Sequence, residues 1–137
     1  MNYWLIKSEP FKYSWDQFKK DKTATWDGVR NYAARNNLRS MKKGDLAFFY
    51  HSNEGLCIVG IAKVTKEHFQ DPTTKEEAWL AVEFAPYKVL KKPVTLAQVK
   101  ADEQLQDMQL LKLQRLSVSA VKPEEFDRIC LLGGMDQ

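Results

Sequence analysis

The chain reads as a small α+β protein in which several short strands form a mixed barrel or strongly curled sheet, with three or four short helices around it. Three observations carry this reading. Short segments rich in aromatic and β-branched residues, each bounded by polar turn sequence, recur from Tyr3 to Val121. Between them, Ser14, Thr95 and Pro123 stand at helix-start spacing ahead of brief apolar runs. The 137 residues, 44% hydrophobic and 28% charged, suit one core of ordinary size. A single domain over residues 1–137 is expected.

The first strand is Tyr3 to Lys7, which combines aromatic and branched apolar residues and stops at Ser8-Glu9-Pro10. Ser14-Trp15-Asp16-Gln17 has capping-box spacing and opens a short amphipathic helix ending near Asp21. From Asn31 to Met41 the residues Ala34, Leu38 and Met41 recur at helical spacing, Arg35 and Arg39 share another stripe, and Gly44 is expected to end the helix. Leu46 to His51 and Cys57 to Val64 are apolar strands joined through Ser52-Asn53-Glu54-Gly55, which predicts a hairpin. Asp71-Pro72-Thr73-Thr74 marks a loop. After it, Leu80, Val82 and Phe84 alternate on one strand face with Trp79 on the other, and this strand extends toward Val89 before Pro93. Thr95-Leu96-Ala97-Gln98 caps a short helix through Val99, Leu116 to Val121 is one more strand, and Pro123-Glu124-Glu125 starts a last helix carrying Phe126, Ile129 and Cys130. Trp4, Trp15, Phe48 and Phe84 belong to the core by their periodic apolar settings, and Trp79 is expected to pack under a helix, with a second wall of the aromatic cage as the other reading.

Charge and motifs narrow the function. A net charge of +3 is too small for a protein that coats nucleic acid, so any binding belongs to a local site. Cys57 and Cys130 lack the spacing of a metal site and suit reduced thiols, and no leader or long apolar run is visible, so a cytoplasmic location without membrane contact is expected. There is no G-x-S-x-G elbow, no H-E-x-x-H helix and no P-loop. Glu9 has no identifiable partner acid, Cys57 beside Ile58-Val59 suits inert burial, and His51 at a strand end suits a structural role. Neither catalysis nor any cofactor or metal is expected, and a monomer is the default. Two other classes stay open: an enzyme acting on a nucleobase or nucleotide, and a protein-interaction module.

Most informative is Trp26-Asp27-Gly28-Val29-Arg30-Asn31-Tyr32-Ala33-Ala34-Arg35-Asn36, which gathers a flat aromatic, a permissive glycine, arginines and amides around a helix start. Tryptophan offers a stacking face, asparagine a donor and an acceptor side by side, and arginine a phosphate grip. The same residues also suit a core anchor at Trp26, a turn at Gly28 and a helix cap at Asn31.

Together with Tyr3-Trp4-Leu5-Ile6-Lys7-Ser8-Glu9-Pro10, Phe49-Tyr50-His51-Ser52-Asn53, Ile58-Val59-Gly60-Ile61-Ala62, Asp71-Pro72-Thr73 and Arg115-Leu116-Ser117-Val118, this block resembles the EVE domain family in the family's own order. The resemblance implies a PUA-like mixed β-barrel of about five to six strands flanked by short helices, related to the YTH readers of methylated adenine in RNA. It also implies a pocket for a modified base, and hence a partner nucleic acid, DNA or RNA, containing one. One departure is the short loop around Asp71-Pro72-Thr73, where many relatives insert a longer segment.

By resemblance, the turn after the first strand, the Trp26 block, the Ser52-Asn53 turn and the Arg115-Leu116-Ser117 approach converge on one mouth. The expected ligand-binding set is then Ser8, Trp26, Val29, Asn31, Tyr32, Ser52, Asn53, Leu116 and Ser117. Trp26 stacks, Asn31 and Asn53 meet the polar edge of the base, Ser8 and Ser52 hydrogen-bond, and Leu116 forms an apolar wall. Arg30, Arg35, Arg39, Lys42 and Lys43 are expected to hold flanking phosphates, with a solvated helix face as the other reading of these charges.

Overall fold

Two strands buried on both faces organise the molecule: β1 (Tyr3–Ser8) and β3 (Leu46–His51) run parallel, with Leu5 opposite Phe48 and Ile6 opposite Phe49. This computed structural model describes residues 1–135, so the last two positions of the expected 1–137 domain lie outside the described residues. The full sheet has six strands in the order β2-β5-β4-β3-β1-β6, where β2 is Ala24–Trp26, β4 Cys57–Gln70, β5 Leu80–Thr95 and β6 Val118–Val121. Every neighbouring pair except β1 and β3 is antiparallel. The edge strands β2 and β6 do not pair with each other, so the expected barrel is a curled but open PUA-like sheet. Register shifts along β4 and β5, which are 14 and 16 residues long, bend this ribbon, since each extra residue in one strand kinks it and raises the local twist.

Because strand side chains alternate, the sheet divides its apolar residues between two cores. On one face Trp4, Ile6, Phe49, Val64 and Phe84 pack with Trp15 and Phe18 of α1 (Trp15–Asp21) and with Ala34 and Leu38 of α2 (Tyr32–Ser40). On the other, Leu5, Phe48, Ile58 and Ile61 pack with Val99 of α3 (Leu96–Ala101), Leu110 of α4 (Gln109–Lys112) and Phe126 and Ile129 of α5 (Pro123–Leu132). Trp4, Trp15, Phe48 and Phe84 are all buried, as their periodicity predicts. Gly60 of β4 makes room for the Trp15 indole: a Cβ there would lie 2.5 Å from the ring.

The capping readings hold at atomic level. Ser14 Oγ accepts from the Gln17 amide, Asn31 Oδ1 from the Ala34 amide, and Thr95 and Gln98 exchange both bonds of a capping box. Three features differ from expectation. The second helix stops at Ser40, and Gly44, with φ at +96°, instead occupies the turn into β3, where its N–H reaches the Val64 carbonyl. The short strand β2, which ends at Trp26, has no counterpart among the expected strands, and α4 with the 3-10 turn Glu103–Leu105 fills a stretch lacking any strong sequence pattern. No helix among the described residues is long and apolar enough to cross a membrane.

Candidate nucleic-acid interface

Pro10 follows the end of β1, and the chain turns sharply there. The amides of Lys12 and Tyr13 both donate to the Glu9 carbonyl at 2.9 Å, and Ser8 Oγ donates to the Tyr13 carbonyl. This turn brings the Tyr13 ring edge-on to Trp26 at 6.3 Å between centroids. Trp26 sits opposite Val82 of β5, and its indole meets Phe49 and Phe84 edge-on, each at 5.8 Å. The indole is half-buried, supported by the core and bordering a cleft of about 650 Å³ between the β1–α1 turn and the segment joining β2 to α2.

That joining segment is held from beneath by Asp71. Gly28, in the left-handed region at φ +73°, donates its N–H to Asp71 Oδ2 at 2.8 Å, and Arg30 Nη1 donates to the same oxygen at 2.9 Å. Oδ1 accepts from the Thr73 amide and hydroxyl at 2.7 and 2.6 Å. Burial by itself would raise the Asp71 pKa, but the donors from Arg30, Thr73 and Gly28 outweigh it and hold this carboxyl well below the usual carboxylate range. Asp27 next to it shifts upward, through burial and then through repulsion from Asp71.

Two further groups on the cleft have altered acidity. The Tyr13 phenol is pushed up to about 12 by burial and by its 3.0 Å hydrogen bond to Asp21, so it stays protonated. Lys7, half-buried, donates from Nζ to the Gln114 carbonyl at 2.7 Å, and burial lowers its pKa.

Ser8, Trp26, Val29 and Ser117 line this cleft together with Arg30. Ser52 and Asn53 do not share it: they line a second pocket of about 200 Å³ on the other side of Lys7. Asn31 and Leu116 line an open groove of about 430 Å³, and the Asn31 carbonyl oxygen caps α2. The expected single mouth is thus three adjoining depressions, with Lys7 common to the first two and Gln114 to the second and third. Tyr32 is 60% exposed and lies in none of the three. Its ring rests on Trp79 at 4.9 Å, with the Arg35 guanidinium 5.1 Å from Tyr32 and that of Arg30 5.5 Å from Trp79. Trp79 therefore packs against the first turn of α2. Arg39, Lys42 and Lys43 stand at the far end of α2, about 13 Å along a nine-residue helix, and are exposed.

Three residues of the site were not singled out from sequence. Lys7 reads as the end of a strand, Tyr13 as part of a turn, and Asp71 as a loop residue, although its place in Asp71-Pro72-Thr73, a side-chain acceptor two residues before a threonine, was a usable turn signal. His51 has the structural role expected of it: its Nε2 accepts from the Trp15 amide at 3.2 Å.

Residues 2–132 match the sequence model of the EVE domain. Thymocyte nuclear protein 1 of Mus musculus is 39% identical over 165 aligned residues, covering 96% of this chain and 73% of that protein. Among solved structures, protein Atu2648 of Agrobacterium tumefaciens superposes with a TM-score of 0.96 at 46% identity, covering 98% of this chain and 94% of the other. The human THYN1 protein, solved in complex with 5-methylcytosine-containing DNA, superposes with a TM-score of 0.92 at 34% identity over 100% of both chains. With the Trp26 block, the open six-stranded sheet and these matches together, the chain belongs to the EVE domain family.

Proposed function

We propose that this protein binds a modified nucleobase in DNA or RNA, with 5-methylcytosine in DNA as the first candidate, and that it does so without catalysis. The observation that carries the reading is the Trp26 indole, braced edge-on by Phe49, Phe84 and Tyr13 and bordering a cleft beside Ser8, Val29 and Ser117. A ring held in this way offers a stacking face without the entropy cost of ordering it on binding, and base stacking on an aromatic contributes about 1–3 kcal/mol. The human relative's complex with 5-methylcytosine-containing DNA supports the choice of ligand.

Within the cleft, Val29 supplies an apolar wall. Ser8, whose hydroxyl proton is engaged by Tyr13, keeps lone pairs to accept from the base edge, and Ser117 hydrogen-bonds from the opposite side. The flanking strand runs over the neighbouring depressions: Asn31, which retains its amide donor, and Leu116 in one, Ser52 and Asn53 in the other. Arg30 and Arg35 meet phosphates near the cleft beside the Tyr32 ring, and Arg39, Lys42 and Lys43 add longer-range attraction from the far end of α2. Burying one added methyl is worth about 0.8 kcal/mol, or about fourfold in affinity, so greater selectivity has to come from the shape of the cleft.

Absence of catalysis is supported by how the cleft's protic groups are engaged. Tyr13 is protonated and bonded to Asp21, while Glu9 accepts from Asn53 at 2.7 Å and pairs with Lys12 at 3.3 Å, so neither stands as a free acid or base. Residues 1–137 act as one domain and as a monomer. We place the protein in the cytoplasm, since its two cysteines lack the spacing of a disulfide framework, although the vertebrate relatives carry a nuclear name.

The test is fluorescence anisotropy with matched oligonucleotides, single- and double-stranded, DNA and RNA, bearing cytosine or 5-methylcytosine. A gain on methylation that Trp26→Ala removes while the protein stays folded is the expected result. Equal affinity for the modified and unmodified strands would overturn the reading.

A further inference from the structure

The cleft beside Trp26 and the pocket beside Asn53 share one lining residue, Lys7. Its setting is unusual for a lysine. The residue is half-buried, its Nζ donates to the neutral carbonyl of Gln114 at 2.7 Å, and among the described residues no carboxylate lies within ion-pair distance of it. A partly desolvated cation with only a neutral acceptor is left with uncompensated charge, which an incoming anion would relieve.

The pocket beyond it is built for something other than bulk water. Leu96 and Leu110 contribute apolar lining and Tyr50 an aromatic ring, while Ser52, Asn53 and Gln114 supply polar groups. Asn53 Nδ2 is tied to Glu9, a residue of the first cleft, at 2.7 Å, so the two depressions share framework as well as a wall. A lining divided evenly between apolar and hydrogen-bonding residues, with Lys100 adding a second cation, suits a heterocycle that has an apolar face and a polar edge. Successive bases of one strand are joined by one phosphate, so bases seated on either side of Lys7 would bring their shared phosphate onto the ridge it forms.

We propose that the pocket lined by Tyr50, Ser52 and Asn53 seats the nucleotide adjacent to the modified one, and that Lys7 takes the phosphate joining the two. The protein then reads a two-nucleotide step rather than an isolated base. The inference rests on the base-reading function above and adds to it a neighbour preference with a defined direction along the strand.

The experiment compares five probes on the wild-type protein and Lys7→Gln: the nucleoside 5-methyl-2′-deoxycytidine, a short single-stranded oligonucleotide with a central 5-methylcytosine, its unmethylated counterpart, and the methylated oligonucleotide with an abasic site placed either 5′ or 3′ of the modified base. For the wild type, removing the base on one side is expected to weaken binding about fivefold or more, and removing the base on the other side to change it less than twofold. Lys7→Gln is expected to weaken oligonucleotide binding at least tenfold more than nucleoside binding, and to reduce the slope of log K against log salt by about one. Equal losses for nucleoside and oligonucleotide, an unchanged salt slope, or indifference to both abasic sites would overturn the proposal. The abasic comparison uses wild-type protein and stands even if Lys7→Gln fails to fold. A wild-type protein that does not prefer the methylated oligonucleotide removes the base-reading function itself, and this inference with it.

Discussion

Asparagine at position 71 keeps the shape of the buried aspartate and inverts half of its hydrogen-bonding capacity. Every bond to Asp71 comes from a donor: Gly28 N and Arg30 Nη1 on one oxygen, Thr73 N and Oγ1 on the other. Turned toward Gly28 and Arg30, the new NH₂ faces two donors; turned toward Thr73, it faces the backbone N–H, and only the hydroxyl, which already accepts from Arg30 Nη2, can rotate to receive it. Hydrogen bonds to a charged acceptor are worth about 1.5–3 kcal/mol each. The Arg30 side chain is 41% exposed and can recover part of its loss in water, so the net cost is about 3 kcal/mol. For a chain of this length that is a fall in melting temperature of about 10 °C. The effect has a pH signature. Because the folded carboxyl is held below its ordinary value of 3.8, its contribution to stability is complete above that value and is lost as pH falls toward the folded pKa. The stability gap between wild type and Asp71→Asn should therefore hold steady from pH 7 to about pH 5 and narrow as pH falls below about 4, read from urea unfolding at each pH. Affinity for a methylated oligonucleotide should fall as well, since Gly28 and Arg30 lose the anchor that holds them at the cleft. A variant melting within 2 °C of wild type, or a gap that does not change with pH, would refute the assignment of Asp71 as the anchor.

Trp26→Ala is expected to weaken binding of a methylated oligonucleotide about 5- to 150-fold through lost stacking, with Trp26→Phe between it and wild type in an anisotropy titration; equal affinities for all three would count against Trp26 as the stacking face. Gly60→Ala should cost about 1–3 kcal/mol in urea unfolding, because its Cβ would fall 2.5 Å from the Trp15 ring. Gly28→Ala meets nothing within 4 Å, so its cost of about 1–2 kcal/mol comes from a φ of +73° alone. His51 has its pKa lowered by burial, with Asp16 opposing, and accepts from the Trp15 amide as a neutral ring; its share of stability is present above about pH 6.5 and is lost as pH falls through the folded pKa. His51→Gln should flatten that part of the curve, and an unchanged profile would argue against the neutral acceptor.

How much of this was legible in the chain differs from residue to residue. The helix starts at Ser14, Asn31 and Thr95 are local: a side-chain oxygen accepts from the amide three residues ahead, and spacing along the chain suffices to see it. The hairpin from Leu46 to Val64 and the burial of Trp4, Trp15, Phe48 and Phe84 follow from periodicity, which is also local. Strand β2 was not legible, because three residues without an apolar run acquire their extended form only by pairing with β5, where Trp26 lies opposite Val82, 56 positions away.

The site shows the same division. Sequence determined which residue types are available: an indole beside a permissive glycine, amides, and arginines on a short helix. Tertiary structure decided which of them meet. It placed Ser8, Trp26, Val29 and Ser117 around one cleft, moved Ser52 and Asn53 across Lys7, and set Tyr32 against Trp79 outside all three depressions. It also turned Asp71 from a loop residue into the anchor of Gly28 and Arg30, more than 40 positions away in the chain. The physical reason is that capping and periodicity act over a few residues, whereas a cleft is made by separate segments whose spacing is set by the register of the sheet and the packing of its two cores.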